Sequence, residues 1–378
     1  MTTIISHFTN KLMKVGIITF HNALNAGAIL QAYALQTILT SWGHQVEFIN
    51  YKPIKKYNIK SYISKSPILM FNKWRNIYNG KRYAKRGDFN KVLTLSPQTY
   101  LSYKDLTDYP MDYDAYIAGS DQIWNFYTTL SPVYMLDFVP TNKKKIAYAA
   151  SMGQCQYDKS LYESFRSRLM GFDAISLREQ SGVDFVKKLL NGEKDVYLTL
   201  DPTLLITTND YDRISQNVKS NVQHYIFSYI LTDLDKENAE IIDYIKKQLD
   251  LNIINVRNPD TCIWLKHAQN IITTPYQWLN YIKNSEFVIC SSFHAVVFSL
   301  IYHKPFIALV PPNSKDKGGN MRINSLLAKV GIPHRIICHY NERKIKAIID
   351  EQIDWEKVNN SINQLRDSSI AFLKNSLK

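Results

Sequence analysis

Residues 286–309 read EFVICSSFHAVVFSLIYHKPFIAL: an apolar strand runs through Ser291-Ser292-Phe293-His294 into an apolar helix, then a second strand entered by Lys304-Pro305. That spacing sets His294 at a strand-to-helix switch. In open α/β sheets ligands gather outside the carboxyl ends of strands, where first-turn amides and the helix dipole favour an anion. A histidine there can give or take a proton near neutral pH while an anionic substrate rests on the amides. Ser291 and Ser292 suit either a helix cap or an anion contact. The plain alternative for His294 is a polar residue satisfied at a helix start.

Four further loops at strand ends carry polar groups: residues 21–27, 119–125, 178–181 and 201–203. A parallel sheet brings all such ends to one edge. In GSDQIWN, Asp121 is a candidate base or hydroxyl orienter. Gln122, Trp124 and Asn125 are candidate sugar contacts, because an aromatic face beside a carboxylate and amides suits a carbohydrate ring. Asp121 could equally cap a helix, and Trp124 could be core. Arg178-Glu179 has the alternative of a surface ion pair. Asp201, before Pro202, reads as a turn former. Asn25 and Gly27 belong either to a loop over an anion or to a plain helix entry; no GxGxxG dinucleotide fingerprint is present.

The elements that must position these loops alternate. KVGIITF, a helical pattern through Ile29–Leu39 and a strand over 45–50 form a βαβ unit, which implies a parallel sheet. Strands follow at 113–118, 145–150, 174–179 and 197–200, with helices at 162–170 and 181–190. Residues 207–221, polar and aperiodic, read as a link. The second half restarts with a strand at 224–231, a helix at 238–249, a strand at 252–256, a helix at 275–283 and the His294 turn, then a short strand at 335–338. The expected fold class is α/β, two Rossmann-like domains with a cleft between them: 1–206, acceptor side; 207–342, donor side; and terminal helices over 343–378.

The 378 residues are 45% hydrophobic and 21% charged, an ordinary globular composition. No apolar run approaches the ~20 residues that span a bilayer, and the first twelve residues do not make a signal peptide, so a cytoplasmic protein is expected, with Met13 a candidate start. Four scattered cysteines without a CxxC pair argue against a disulfide framework or zinc site, and no metal is expected. Of the net charge of +13, +11 lies in residues 52–91, where twelve Lys and Arg alternate with aromatic and aliphatic residues. That pattern suits an anionic membrane surface, or else a solvated face; no nucleic-acid motif accompanies it.

Seven blocks in order, from KVGIITFHNALNAGAILQAYALQTIL through YDAYIAGSDQIWN, KKIAYAASMG, AISLREQSGV, LTLDPTLL and EFVICSSFHAVVFSLIYHKPFIAL to RINSLLAKVGI, resemble the polysaccharide pyruvyl transferase family, exopolysaccharide branch. The resemblance implies a GT-B-like two-domain fold, phosphoenolpyruvate as donor with no further cofactor, and a sugar acceptor, lipid-linked or nucleotide-linked. It implies His294 as general acid and Arg178 as substrate anchor. Where some members have Arg-Leu-His, this chain has Ser292-Phe293-His294, so Arg322 is expected to supply the missing cation. The competing readings are a GT-B nucleotide-sugar glycosyltransferase and a basic binding protein with an idle cleft.

Overall fold

The computed structural model describes residues 12–23, 25–53, 91–125, 131–153, 159–218, 222–232, 234–259, 261, 263–310 and 317–378. The basic stretch 52–91 therefore lies outside the described residues apart from 52, 53 and 91.

Near-continuous apolar tetrads and pentads such as AYIA, YIFSY, FVIC and FIAL cannot present a polar face. They become strands buried on both sides, as parallel sheets require. The first sheet comprises β1 (Lys14–Ile18), β2 (Gln45–Tyr51), β3 (Leu95–Tyr100), β4 (Ala115–Ala118), β5 (Lys144–Ala150), β6 (Ala174–Leu177) and β7 (Val196–Leu198). Its order is β3-β2-β1-β4-β5-β6-β7, parallel throughout. The second comprises β8 (Tyr225–Tyr229), β9 (Asn252–Val256), β10 (Ala268–Ile271), β11 (Phe287–Cys290), β12 (Phe306–Leu309) and β13 (Ile336–Ile337). It repeats the arrangement as β10-β9-β8-β11-β12-β13, again parallel. Both orders reverse direction beside their first strand, at β1/β4 and at β8/β11, which is the Rossmann switch point where an open α/β sheet leaves a crevice.

Helix α1 (Ala26–Ser41) has ten buried residues, including Gln31, and no solvated stripe of the usual width. A helix apolar nearly all round has neighbours on every side. Here they include β2, the turn Pro202–Leu204 and helix α7 (Pro275–Lys283) of the second half. The stretch 207–221, expected to be irregular, contains helix α5 (Thr208–Ser215), opened by a Thr207/Asp210 capping box. Tyr211 anchors it, donating to the Thr203 carbonyl at 2.8 Å and meeting Phe298 edge-on.

The terminal helices part company. Helix α10 (Glu342–Asp350) packs against α6 (Lys236–Leu249). Helix α11 (Trp355–Ser376) begins on the second half, where Trp355 stacks on His303, and ends on the first sheet. There Ser369 accepts from the Leu200 amide at 2.9 Å, Arg366 donates to the Leu204 carbonyl at 2.6 Å, and Phe372 meets Tyr148 and Tyr197. Among the described residues no helix is long and apolar enough to cross a membrane.

Candidate active site

The carboxyl end of β6 delivers Arg178, whose side chain is 1% exposed. Its guanidinium donates from Nη1 to Asp201 Oδ2 at 2.5 Å and from Nη2 to Asp121 Oδ1 at 3.2 Å, and it lies 4.8 Å from the centre of the Phe293 ring. The surface ion-pair alternative is thereby removed: Arg178 is a buried fork between two carboxylates. Glu179 is buried too; its Oε1 accepts the amides of Met152 (2.5 Å) and Gly153 (3.3 Å), tying the end of β5 to that of β6.

Asp201 follows β7 and has no exposed side-chain surface. Its Oδ1 accepts from the amide and hydroxyl of Thr203 at 3.0 and 2.6 Å, and so it does shape the turn that its sequence suggests. Its Oδ2 meets Arg178, the Ser120 hydroxyl at 3.4 Å and His294 Nε2 at 3.7 Å. Burial works to raise its titration; the His294 imidazole and the Arg178 guanidinium outweigh it and hold the carboxyl well below the usual carboxylate range.

Asp121 comes from the β4 loop with a left-handed backbone, φ +66°. It caps no helix, since turns follow it, and its carbonyl instead accepts the amides of Ile123 and Ser151. Gly119 makes this path possible: at φ +130° a Cβ there would sit 2.1 Å from the Tyr148 carbonyl oxygen.

From the second sheet, β11 ends at Cys290, whose thiol burial pushes up to about 12, an inert core sulfur. Ser291 accepts the Leu231 amide at 2.8 Å and so ties β8 to β11. Ser292 occupies the N-cap of α8 (Phe293–Ile301) with no side-chain cap bond. His294, in the first turn of α8, is 5% exposed, and its Nε2 is buried without a hydrogen-bond partner. Its ring packs on Gly27, where a Cβ would fall 2.3 Å from His294 Cγ and Nδ1. Asn25 caps α1 by accepting the Gly27 amide at 2.9 Å, so this loop is a helix entry whose first turn abuts the histidine.

Arg322, on α9 (Lys317–Lys329), lies 5.7 Å from the Phe293 ring centre, and the Gln122 amide is within 2.5 Å of its Nη2 and 2.8 Å of Asn125 Nδ2. Two guanidiniums thus flank one ring beside His294. Trp124 departs from its expectation as a sugar contact. It has no exposed surface, donates to the Tyr134 carbonyl at 3.2 Å and packs edge-on to Phe165 and Phe172, so its face is closed by core. Asp201 and Phe293 are the neighbours that sequence reasoning missed as site residues; the signal available for Asp201 was its place at a strand's carboxyl end. Among the described residues no three His, Cys, Asp or Glu are grouped to hold a metal ion.

Fold and site together define a class: a two-domain α/β protein of paired Rossmann-type sheets, with an Arg–Asp–His cluster joining their carboxyl edges. The sequence profile of the family described as polysaccharide pyruvyl transferase matches residues 25–313, and the chain belongs to that family. No curated protein sequence matches it. Among solved structures, it is similar to a UDP-GlcNAc 2-epimerase from Methanocaldococcus jannaschii (12% identity, TM-score 0.49, covering 90% of this chain and 93% of that one). It is also similar to a UDP-GlcNAc 2-epimerase from Neisseria meningitidis bound to UDP-GlcNAc (10%, 0.47, 95% and 98%). A third likeness is to an E. coli heptosyltransferase (12%, 0.37, 80% and 90%). With TM-scores below 0.5, none of the three bears on function here.

Proposed function

We propose that the chain transfers the enolpyruvyl-derived group of phosphoenolpyruvate to two hydroxyls of a sugar, a galactose-type residue of a lipid-linked polysaccharide precursor, forming a cyclic pyruvate ketal and releasing phosphate. The observation that carries this reading is the setting of His294. The first turns of α1 and α8 meet at its ring, and Arg178 and Arg322 flank the neighbouring Phe293. Helix N-termini and guanidiniums are what a donor bearing a carboxylate and a phosphate needs. Arg178 also keeps a buried Nε–H without a partner beside the two aspartates it holds.

In this reading His294 protonates the methylene carbon of phosphoenolpyruvate. The neighbouring carbon becomes oxocarbenium-like and is attacked by a sugar hydroxyl. Asp121, with its carboxylate partly exposed, orients that hydroxyl, and Gln122 and Asn125 contact the sugar. Ser291 and Ser292 contribute backbone at the donor end, since the Ser291 hydroxyl is already committed to Leu231. The basic segment 52–91 docks on the anionic inner leaflet, so that a lipid-linked acceptor reaches the cleft from the bilayer.

Incubation with phosphoenolpyruvate and a panel of lipid-linked and nucleotide-linked galactosides, read by mass spectrometry, is expected to give a pyruvylated sugar and inorganic phosphate in equal amounts. Transfer from a nucleotide sugar without phosphoenolpyruvate would replace this reading by glycosyl transfer.

A further inference from the structure

An acid–base histidine must present one particular ring nitrogen to its substrate, and nothing on α8 itself decides which. The decision comes from the other sheet. Nε2 of His294 is buried with no hydrogen-bond partner, and the carboxylate it faces is Asp201 Oδ2 at 3.7 Å. Catalytic hydrogen bonds are often this long before substrate binds. Asp201 cannot turn away, because Thr203 holds its Oδ1 twice and Arg178 holds its Oδ2. The opposite ring nitrogen, Nδ1, packs against Gly27 at the first turn of α1, the ring filling the space that a side chain there would need.

We infer that Asp201 is a positioning residue that keeps His294 in the Nε2–H tautomer and reserves Nδ1 for proton exchange with substrate. A carboxylate that accepts from one imidazole N–H fixes the tautomer, and so frees the other nitrogen. Joined to the proposed function, on which its catalytic half rests, the proton count closes. Nδ1–H protonates the methylene carbon and leaves a neutral ring carrying Nε2–H. The Nδ1 lone pair then takes the proton of the first attacking hydroxyl. Phosphate departs with the proton of the second hydroxyl as that oxygen closes the ring, so one phosphoenolpyruvate and one diol give one ketal and one hydrogen phosphate. Because Asp201 also grips Arg178, one carboxylate aligns the acid from the second sheet with the anchor from the first.

The tautomer is measurable without any substrate. Nitrogen-15 NMR of histidine-labelled protein, at a pH where the ring is neutral and with the signal assigned by His294→Gln, should show His294 as Nε2–H in the wild type. In Asp201→Asn that preference should be lost. A wild-type ring found as Nδ1–H, or a tautomer unchanged by Asp201→Asn, overturns the inference whatever the protein's substrate proves to be. If Asp201→Asn fails to fold, the wild-type tautomer alone decides. With phosphoenolpyruvate, Asp201→Asn should lower kcat ~10²-fold, as for loss of an acid's proper orientation. It should lower kcat less than about threefold further in a His294→Gln background, since residues acting as a unit are not additive. Multiplicative losses in kcat would mean that Asp201 acts elsewhere; KM for phosphoenolpyruvate, read separately, reports its grip on Arg178.

Discussion

His294, Arg178 and Asp201 form a cluster in which each charge has a stated partner, and so single substitutions have directional outcomes. Replacing His294 by Ala or Gln should keep the fold and lower turnover by ~10²-fold or more, which steady-state assays with phosphoenolpyruvate check. Arg178→Lys should weaken phosphoenolpyruvate binding more than acceptor binding. An ammonium cannot reach Asp201 and Asp121 together while lying over Phe293. Equal losses for both substrates would count against a donor role. Acid titration tests Asp201 separately. Its folded-state value lies below the ordinary one, so its contribution to stability is complete above about pH 4 and is lost as pH falls below that. Denaturant midpoints of wild type and Asp201→Asn should differ above about pH 4 and converge in stronger acid.

At the scale of elements, the entry of α1 against α8 is where helix propensity and packing oppose each other. Ala is favoured over Gly inside a helix by up to ~1 kcal/mol, yet at Gly27 the added carbon would lie 2.3 Å from an imidazole closed in by core and by Asp201. Overpacking of this kind costs about 1–3 kcal/mol, so the clash wins. Gly27→Ala should lower the melting temperature and cut turnover nearly as far as His294→Ala; a raised melting temperature with full activity would contradict the contact. The apolar runs of β1, β4, β8, β11 and β12 announced themselves in the sequence because strands buried on both faces need unbroken hydrophobic stretches. Two of the four edge strands did not. β3, reading LSPQTY, and β10, reading AQNI, are partly solvated and largely polar, and neither was legible. Helix α5 was missed because its buried residues are only Tyr211 and Ser215, although its capping box could have been read. The site divided in the same way. Its loops were visible as strand ends, whereas the meeting of Asp201 with His294 depends on how two sheets dock, which no local pattern encodes.

For the whole molecule, the uneven charge gives the broadest test. With +11 of the +13 in residues 52–91, neutralising Lys73, Arg75, Lys81 and Arg82 should reduce co-sedimentation with anionic vesicles and activity on a lipid-linked acceptor. Activity on a short soluble analogue should be spared. Raising salt should mimic the substitutions, because screening shortens such attraction to about 8 Å at physiological ionic strength. No binding to anionic vesicles at low salt would leave the segment as a solvated face. The return of α11 to the first sheet has a different kind of consequence. The strands it covers are complete by Leu198, but Ser369 and Phe372, which meet Leu200, Tyr148 and Tyr197, are made only after the whole second half. At ribosomal speeds of roughly 5–20 residues per second, that surface waits on the order of ten seconds or more for its cover during synthesis. The nascent first half is therefore expected to depend on chaperones during that interval, and slowing translation within the second half should lower the yield of folded protein more than slowing it within the first.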